Sequence, residues 1–208
     1  AGVQKCDTDA TFTIAEIKNP YLWSDEDPYL YELVIKDGEE IKDIKSVSGN
    51  KIGFVMQNPD NQIICTIVEE DVAFGPENLG VASPVIRKRV DAALQQVGMY
   101  EYREHAPHLL SGGQKRRLAL AMELVSRPRI LLCDEVTSGL DPRSEREIVE
   151  LLHKLSMKDG RIVISVTHSL AQLSLYDSII VMVRGNLAYH GSPDLMVHYF
   201  GEQNFALT

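Results

Sequence analysis

Residues 110–152 read LSGGQKRRLALAMELVSRPRILLCDEVTSGLDPRSEREIVELL. Ser111, Gly112 and Gly113 place a hydroxyl and two glycines at the start of a helix that runs on through Val125. Its first N–H groups and positive dipole end therefore face outward, ready for an anion. Gln114 follows the two glycines. Downstream, Ile130–Cys133 predicts an apolar strand ending in two adjacent carboxylates, Asp134 and Glu135. One such acid can hold Mg²⁺ through water while its neighbour polarises an attacking water. Asp141 before Pro142 supplies a capping acceptor and a preset φ for a second helix, whose apolar face is Ile148, Val149, Leu151, Leu152 and Leu155.

The same grammar extends in both directions. Ser83–Pro84 and Ser192–Pro193 repeat the capping pattern. After Pro84, Val85, Val90, Leu94 and Val97 follow helical spacing, and Gly98 is placed to end the helix. Short β-branched runs at Ile52–Met56, Ile162–Val166 and Ile179–Val183 join Ile130–Cys133 as expected buried strands. Strands alternating with helices predict a parallel α/β sheet, whose nucleotide sites lie beyond the carboxyl ends of the strands. Two further polar residues fall at such ends. Gln57, after Met56 and before Asn58 and Pro59, can reach metal or water. His168, after Thr167, can contact a γ-phosphate or orient a water. Taken singly, each motif has an ordinary reading: a tight turn, loop acids, a satisfied loop histidine.

Composition narrows the partners. The 208 residues, 44% of them hydrophobic, can bury a real core, while 21 basic against 30 acidic residues leave a net charge of −9. That sign argues against a nucleic-acid partner. Cys6, Cys65 and Cys133 form no CxxC or Cys/His cluster, which points to a reducing, cytosolic setting. No apolar run approaches the roughly 20 residues that span a bilayer, and no basic-then-apolar leader opens the sequence, so a membrane role is expected to need a separate partner.

Residues 1–47 have a different character, extended and aromatic, with a turn expected at Lys36–Gly38. Ser, Gly and Asn between Ser46 and Asn50 mark the expected boundary, giving a short β-rich segment over 1–47 and an α/β domain over 48–208. Asn19–Ile35, NPYLWSDEDPYLYELVI, resembles a β-sandwich segment of family-2 glycoside hydrolases, without that family's catalytic acids. Tyr21, Trp23, Tyr29 and Tyr31 are expected as core or edge-strand aromatics.

The order and spacing of Gln57, Leu110–Gln114, Asp134–Glu135, Asp141 and His168 resemble the nucleotide-binding domain of ABC transporters, over roughly residues 51–200. The resemblance implies an incomplete P-loop NTPase fold with a helical signature subdomain, and ATP and Mg²⁺ as cofactors. Gln57 takes the Q-loop position, able to touch metal and water. Ser111, Gly112, Gly113 and Gln114 are the signature that meets nucleotide, and Asp141 lies in the D-loop beside it. Asp134 is the metal-holding acid, with Glu135 and His168 as catalytic residues. Gln57–Gly80 is similar to the ATPases of energy-coupling-factor importers, whereas TSGLDPRSEREIVELL and Tyr176–Phe200 are similar to ABCG-type exporter ATPases.

One part of that pattern is missing: no GxxxxGK[ST] occurs in the sequence. Gly49, Asn50 and Lys51 sit too close to Gln57, and Lys51 precedes Ile52 where a hydroxyl is needed. Charge-assisted hydrogen bonds contribute roughly 1.5–3 kcal/mol each, so losing two weakens nucleotide binding about 10²- to 10⁴-fold. In the family the P-loop helix also packs on the central sheet, so its loss is expected to expose apolar strand surface. The resemblance further implies a transmembrane subunit, a cytoplasmic-face peripheral location, and a second ATPase domain with an intact P-loop, to which Ser111 and Gly113 are offered. Two other readings stay open: a non-catalytic ABC-like remnant or chimeric fusion, and a carbohydrate-active β-sandwich protein.

Overall fold

The computed structural model describes residues 3–5, 11–13, 52–183 and 185–202. In chain order the elements are β1 (Val3–Lys5), β2 (Thr11–Thr13), β3 (Ile52–Val55), α1 (Val68–Asn78), α2 (Ser83–Gln96), α3 (Gly112–Leu124), β4 (Ile130–Asp134), α4 (Pro142–Asp159), β5 (Ile162–Val166), β6 (Ile179–Val183), β7 (Asn186–Gly191) and α5 (Pro193–Glu202). They divide into two units, Asn50–Leu175 and Ala1–Gly49 with Tyr176–Thr208. The extended stretches expected over 19–35, the turn at 36–38 and the residues around 46–50 lie outside the described residues.

Within Asn50–Leu175, three of the expected strands form a parallel sheet in the order β3-β4-β5. Phe54, Leu132 and Ile164 stand side by side in register, as do Val55, Cys133 and Ser165. Side chains alternate across a strand, so each row faces one side of the sheet. The side bearing Val55, Leu131 and Cys133 is buried, and burial pushes the Cys133 thiol up to about 12. Over it lie α3, which contributes Leu118, Leu120 and Leu124, and α4, which contributes Ile148, Leu151, Leu152 and Leu155 from one helical face. α1 and α2 pack in turn against α3, closing the core with Val68, Val72, Val90 and Leu94. On the opposite side, among the described residues, Phe54 is 45% and Val166 55% exposed.

The sequence explains most helix ends. Asp141 caps α4, its Oδ1 accepting from the Arg143 and Ser144 N–H groups at 3.1 Å each, and Gly160 ends that helix in the left-handed region. Gly98, at φ +70, follows α2 as expected, and the Met99 N–H returns to the Leu94 carbonyl at 2.8 Å. Ser83 does not cap α2. The helix already includes it, the capping position is Ala82, and no side chain bonds the first N–H groups there. Proline preset the turn without help from the hydroxyl.

In the other unit, β1 and β2 pair antiparallel, as do β6 and β7. The expectation of buried strands is corrected at two places: β5 has no buried residue, with Ile164 and Val166 exposed, and β6 belongs to an irregular hairpin, with Ile180, Met182 and Val183 exposed. A short apolar run does not reveal whether its neighbour is parallel or whether both its faces are covered. α5 starts at Pro193, as expected, where the Tyr189 hydroxyl donates to the Ser192 carbonyl at 2.7 Å. Among the described residues, no helix is long and apolar enough to cross a membrane.

Candidate functional site

Parallel pairing puts the carboxyl ends of β3, β4 and β5 side by side, and each releases a polar residue there. Glu135, just beyond β4, adopts φ +44, a left-handed backbone for a residue that is not glycine. Such a conformation costs of order 1–3 kcal/mol unless its surroundings impose it. Here the Glu135 N–H donates to the Val166 carbonyl at 3.0 Å, while the Ser138 N–H returns to the Glu135 carbonyl at 2.9 Å. The turned backbone aims the carboxylate at two donors. Gln57 Nε2 donates to Oε2 at 2.9 Å, and His168 Nε2 lies 2.7 Å from Oε1. The Glu135 side chain is only 19% exposed, whereas that of His168 is 86% exposed. The pair joins an enclosed carboxylate to a solvent-facing imidazole.

Asp134 shares the open side of the sheet with Leu132, by strand alternation, and stands opposite Val166 in register. The described residues contain no group of three or more His, Cys, Asp or Glu side chains able to hold a metal ion. A hard cation wants about six oxygen ligands, and Mg²⁺ is commonly held by one or two carboxylates with water and substrate phosphates completing the shell. Asp134, at the carboxyl end of β4, could supply one such carboxylate. A cavity of about 310 Å³ opens beside Glu135 and His168, with Ser138, Gly139 and Glu145 on its wall.

The signature forms a second cluster. Ser111 Oγ accepts from the Gln114 N–H at 3.3 Å, and Gln114 Oε1 accepts from the Ser111 N–H at 2.8 Å, a reciprocal capping box. These bonds leave the N–H groups of Gly112 and Gly113, at the first turn of α3, without partners among the described bonds, and the Ser111 hydroxyl proton free to donate. All three can be offered to an anion. A side chain at Gly113 would meet Ser144 Oγ at 3.4 Å, so glycine lets the head of α3 approach the head of α4. Asp141, at that second helix head, is occupied by its cap. The Ser144 hydroxyl above all, with the two N–H groups, holds its carboxyl below the usual carboxylate range. No described hydrogen bond joins Ser111–Gln114 to Gln57, Glu135 or His168.

The sequence model of the ABC transporter family matches residues 25–138, more than half of the chain. The chain belongs to the ABC transporter family. The match starts inside the 19–35 stretch and runs through the boundary expected at 46–50. Among curated relatives, the energy-coupling factor transporter ATP-binding protein EcfA1 of Clostridium novyi is 48% identical over 165 residues, covering 79% of this chain and 58% of that protein. EcfA1 of Clostridium perfringens is 49% identical, covering 76% and 57%. The chain thus spans somewhat under two thirds of these relatives. Their similarity extends well beyond Gln57–Gly80. Of solved structures, cbiO1 from Clostridium perfringens, part of the ABC transporter complex cbiONQ, superposes with a TM-score of 0.74 at 33% identity over 86% of this chain and 74% of that one. The ATP-binding cassette MJ0796, solved as a dimer with ADP and Pi, gives 0.66 at 29% identity, covering 80% and 75%.

In this ABC domain the sequence motifs named Gln57, Glu135 and His168, which the structure brings together, but not the side chains that hold the backbone around them. Arg116, only 7% exposed, donates from Nη1 to the Met56 carbonyl at 3.4 Å and from Nη2 to the Ser138 carbonyl at 3.2 Å. Burial holds its pKa below the usual arginine value. Glu123 accepts from the Phe54 N–H at 3.2 Å and from Gln62 Nε2 at 3.3 Å. Gln62 in turn accepts from the Met56 N–H at 2.8 Å, so two side chains occupy the hydrogen-bonding groups that β3 does not pair with a strand. Buried Asp71 gathers the Ile64 and Cys65 N–H groups at 2.8 Å each. Glu123 is hinted at by a charge within the apolar run LALAMELV, whereas Arg116 is hidden in the basic run Lys115–Arg117. Asp71 is hidden in an acidic run that suits any helix start.

Proposed function

We propose that the chain is an ATP-binding component of an energy-coupling-factor-type transporter. It docks on the cytoplasmic face of a transmembrane subunit and pairs with a second ABC domain that has an intact P-loop. The observation that carries this reading is the meeting of Gln57 and His168 on the Glu135 carboxylate at the carboxyl ends of a parallel sheet. The separation of that triplet from the signature supports nucleotide held between two domains, with Ser111 and the Gly112 and Gly113 N–H groups turned toward a phosphate on the partner. The roles are then divided as follows: Asp134 and Gln57 hold Mg²⁺, Glu135 and His168 position the attacking water, and Ser111–Gln114 with Asp141 meet the partner's nucleotide. Bound Mg²⁺ would supply neutralisation of the phosphate charge. Within the 208 residues nothing matches the phosphate cradle, so the chain alone is expected to bind nucleotide weakly.

Equilibrium binding of Mg-ATP tests this, with the folded chain alone and then mixed with a P-loop-containing ABC domain. Binding that tightens only in the mixture, and weakens when Ser111 is changed to Ala, supports the proposal. Tight binding by the chain alone defeats the claim of a missing cradle. No binding beyond that of the added domain leaves an ABC-like remnant with a structural role as the better account.

A further inference from the structure

Arg116 lies one and a half turns into α3, below Ser111–Gln114, and its guanidinium is enclosed. A buried charge is costly unless its donors are all used, and Nε has no partner among the described residues. An apolar side chain of similar volume would fill the same space without that penalty, so packing alone does not account for an arginine. Its two bonds have specific targets. The Met56 carbonyl belongs to the peptide that leads into Gln57. The Ser138 carbonyl belongs to the peptide that leads into Gly139, within the turn whose Ser138 N–H closes on the Glu135 carbonyl. One side chain from the signature helix therefore grips the backbone on both sides of the Gln57–Glu135 hydrogen bond.

We propose that Arg116 is a positioning residue that couples the signature helix to the Gln57 loop and to the turn after Glu135, so that a displacement of α3 is felt at both. Its neighbour Lys115 reinforces the first connection from outside, with Nζ 2.7 Å from Asp60 in the same loop. That outer pair is a solvent-exposed bridge and contributes little. The catalytic consequence rests on the ABC ATPase reading above, whereas the mechanical one does not.

The test compares the wild-type chain with Arg116→Met and Arg116→Lys, each mixed with a P-loop-containing ABC domain and Mg-ATP. Hydrolysis is resolved into kcat and KM, and hydrogen–deuterium exchange is followed in the same samples. For Arg116→Met, exchange is expected to rise together at 56–62 and 136–140 but not at 148–155, with kcat falling about tenfold and KM changing less than about twofold. Lysine, reaching one carbonyl, should restore part of kcat. Loosening of only one segment overturns the coupling, and joint loosening with unchanged kcat reduces Arg116 to a structural role. If the wild-type chain adds no hydrolysis to the mixture, the functional reading fails while the exchange pattern still decides the coupling. If the Met variant loses protection throughout 148–155, the Lys variant carries the same comparison.

Discussion

The two faces of the parallel sheet are built by the same three strands from similar apolar residues, yet among the described residues only one is covered. Val55, Leu131 and Cys133 are enclosed beneath α3 and α4, while Phe54, Ile164 and Val166 remain exposed on the reverse. Parallel sheets usually carry cover on both faces. Hydrophobicity at these positions therefore records suitability for a strand, whereas stability comes from what actually covers it.

Truncation on the enclosed face tests that distinction most severely. Leu131→Ala removes a fully buried side chain from the centre of β4, and is expected to lower unfolding free energy by about 2–5 kcal/mol in urea titration. A loss under about 1 kcal/mol would mean the interior collapses readily around the gap. Gly53→Ala probes the same face by overfilling it. Its new methyl would lie 3.1 Å from Glu123 Cβ and 3.2 Å from Leu131 Cδ1, so α3 must retreat from β3, at an expected cost of about 1–3 kcal/mol.

Between the faces lies Glu123, whose carboxyl burial pushes up from the ordinary glutamate value, against the opposing pull of the Phe54 N–H bond. The folded state then holds the proton more tightly than the unfolded chain. Stability from this group is greatest below the ordinary glutamate pKa and declines as pH rises through the window up to the raised one. Glu123→Gln should remove that decline, read as unfolding free energy against pH for both proteins. An unchanged slope would show that Glu123 does not titrate in that window.

What the sequence made legible follows the same division. The motifs at strand ends were readable because chemistry demands particular side chains at fixed spacing: Gln57, Glu135 and His168 do meet, and Ser111 does stand at a helix head, although its reciprocal bond with Gln114 was not foreseen. Strands β3, β4 and β5 were readable from β-branched runs. The partner of β6 was not, since Ile179–Val183 suits a hairpin as well as a parallel core. Nor was the missing cap at Ser83, because proline alone can start a turn. Arg116 acts on backbone carbonyls 60 and 22 residues away, and no local pattern specifies such a target. The boundary expected near 46–50 rested on loop composition and lies outside the described residues.

Val166→Thr, on the open face, has the smallest expected effect and bears most directly on the comparison. Threonine keeps the branched β-carbon that suits a strand, and at a side chain 55% exposed its hydroxyl can reach water, so unfolding free energy should move by no more than about 0.5 kcal/mol. The same hydroxyl beneath a covering element would lose its solvent partners and cost about 1–3 kcal/mol. A measured loss in that upper range would show that this face is covered in solution, and the contrast between the two sides of the sheet would disappear. A negligible change, beside a large one for Leu131→Ala, would establish that the stability of the domain resides on the α3–α4 side alone.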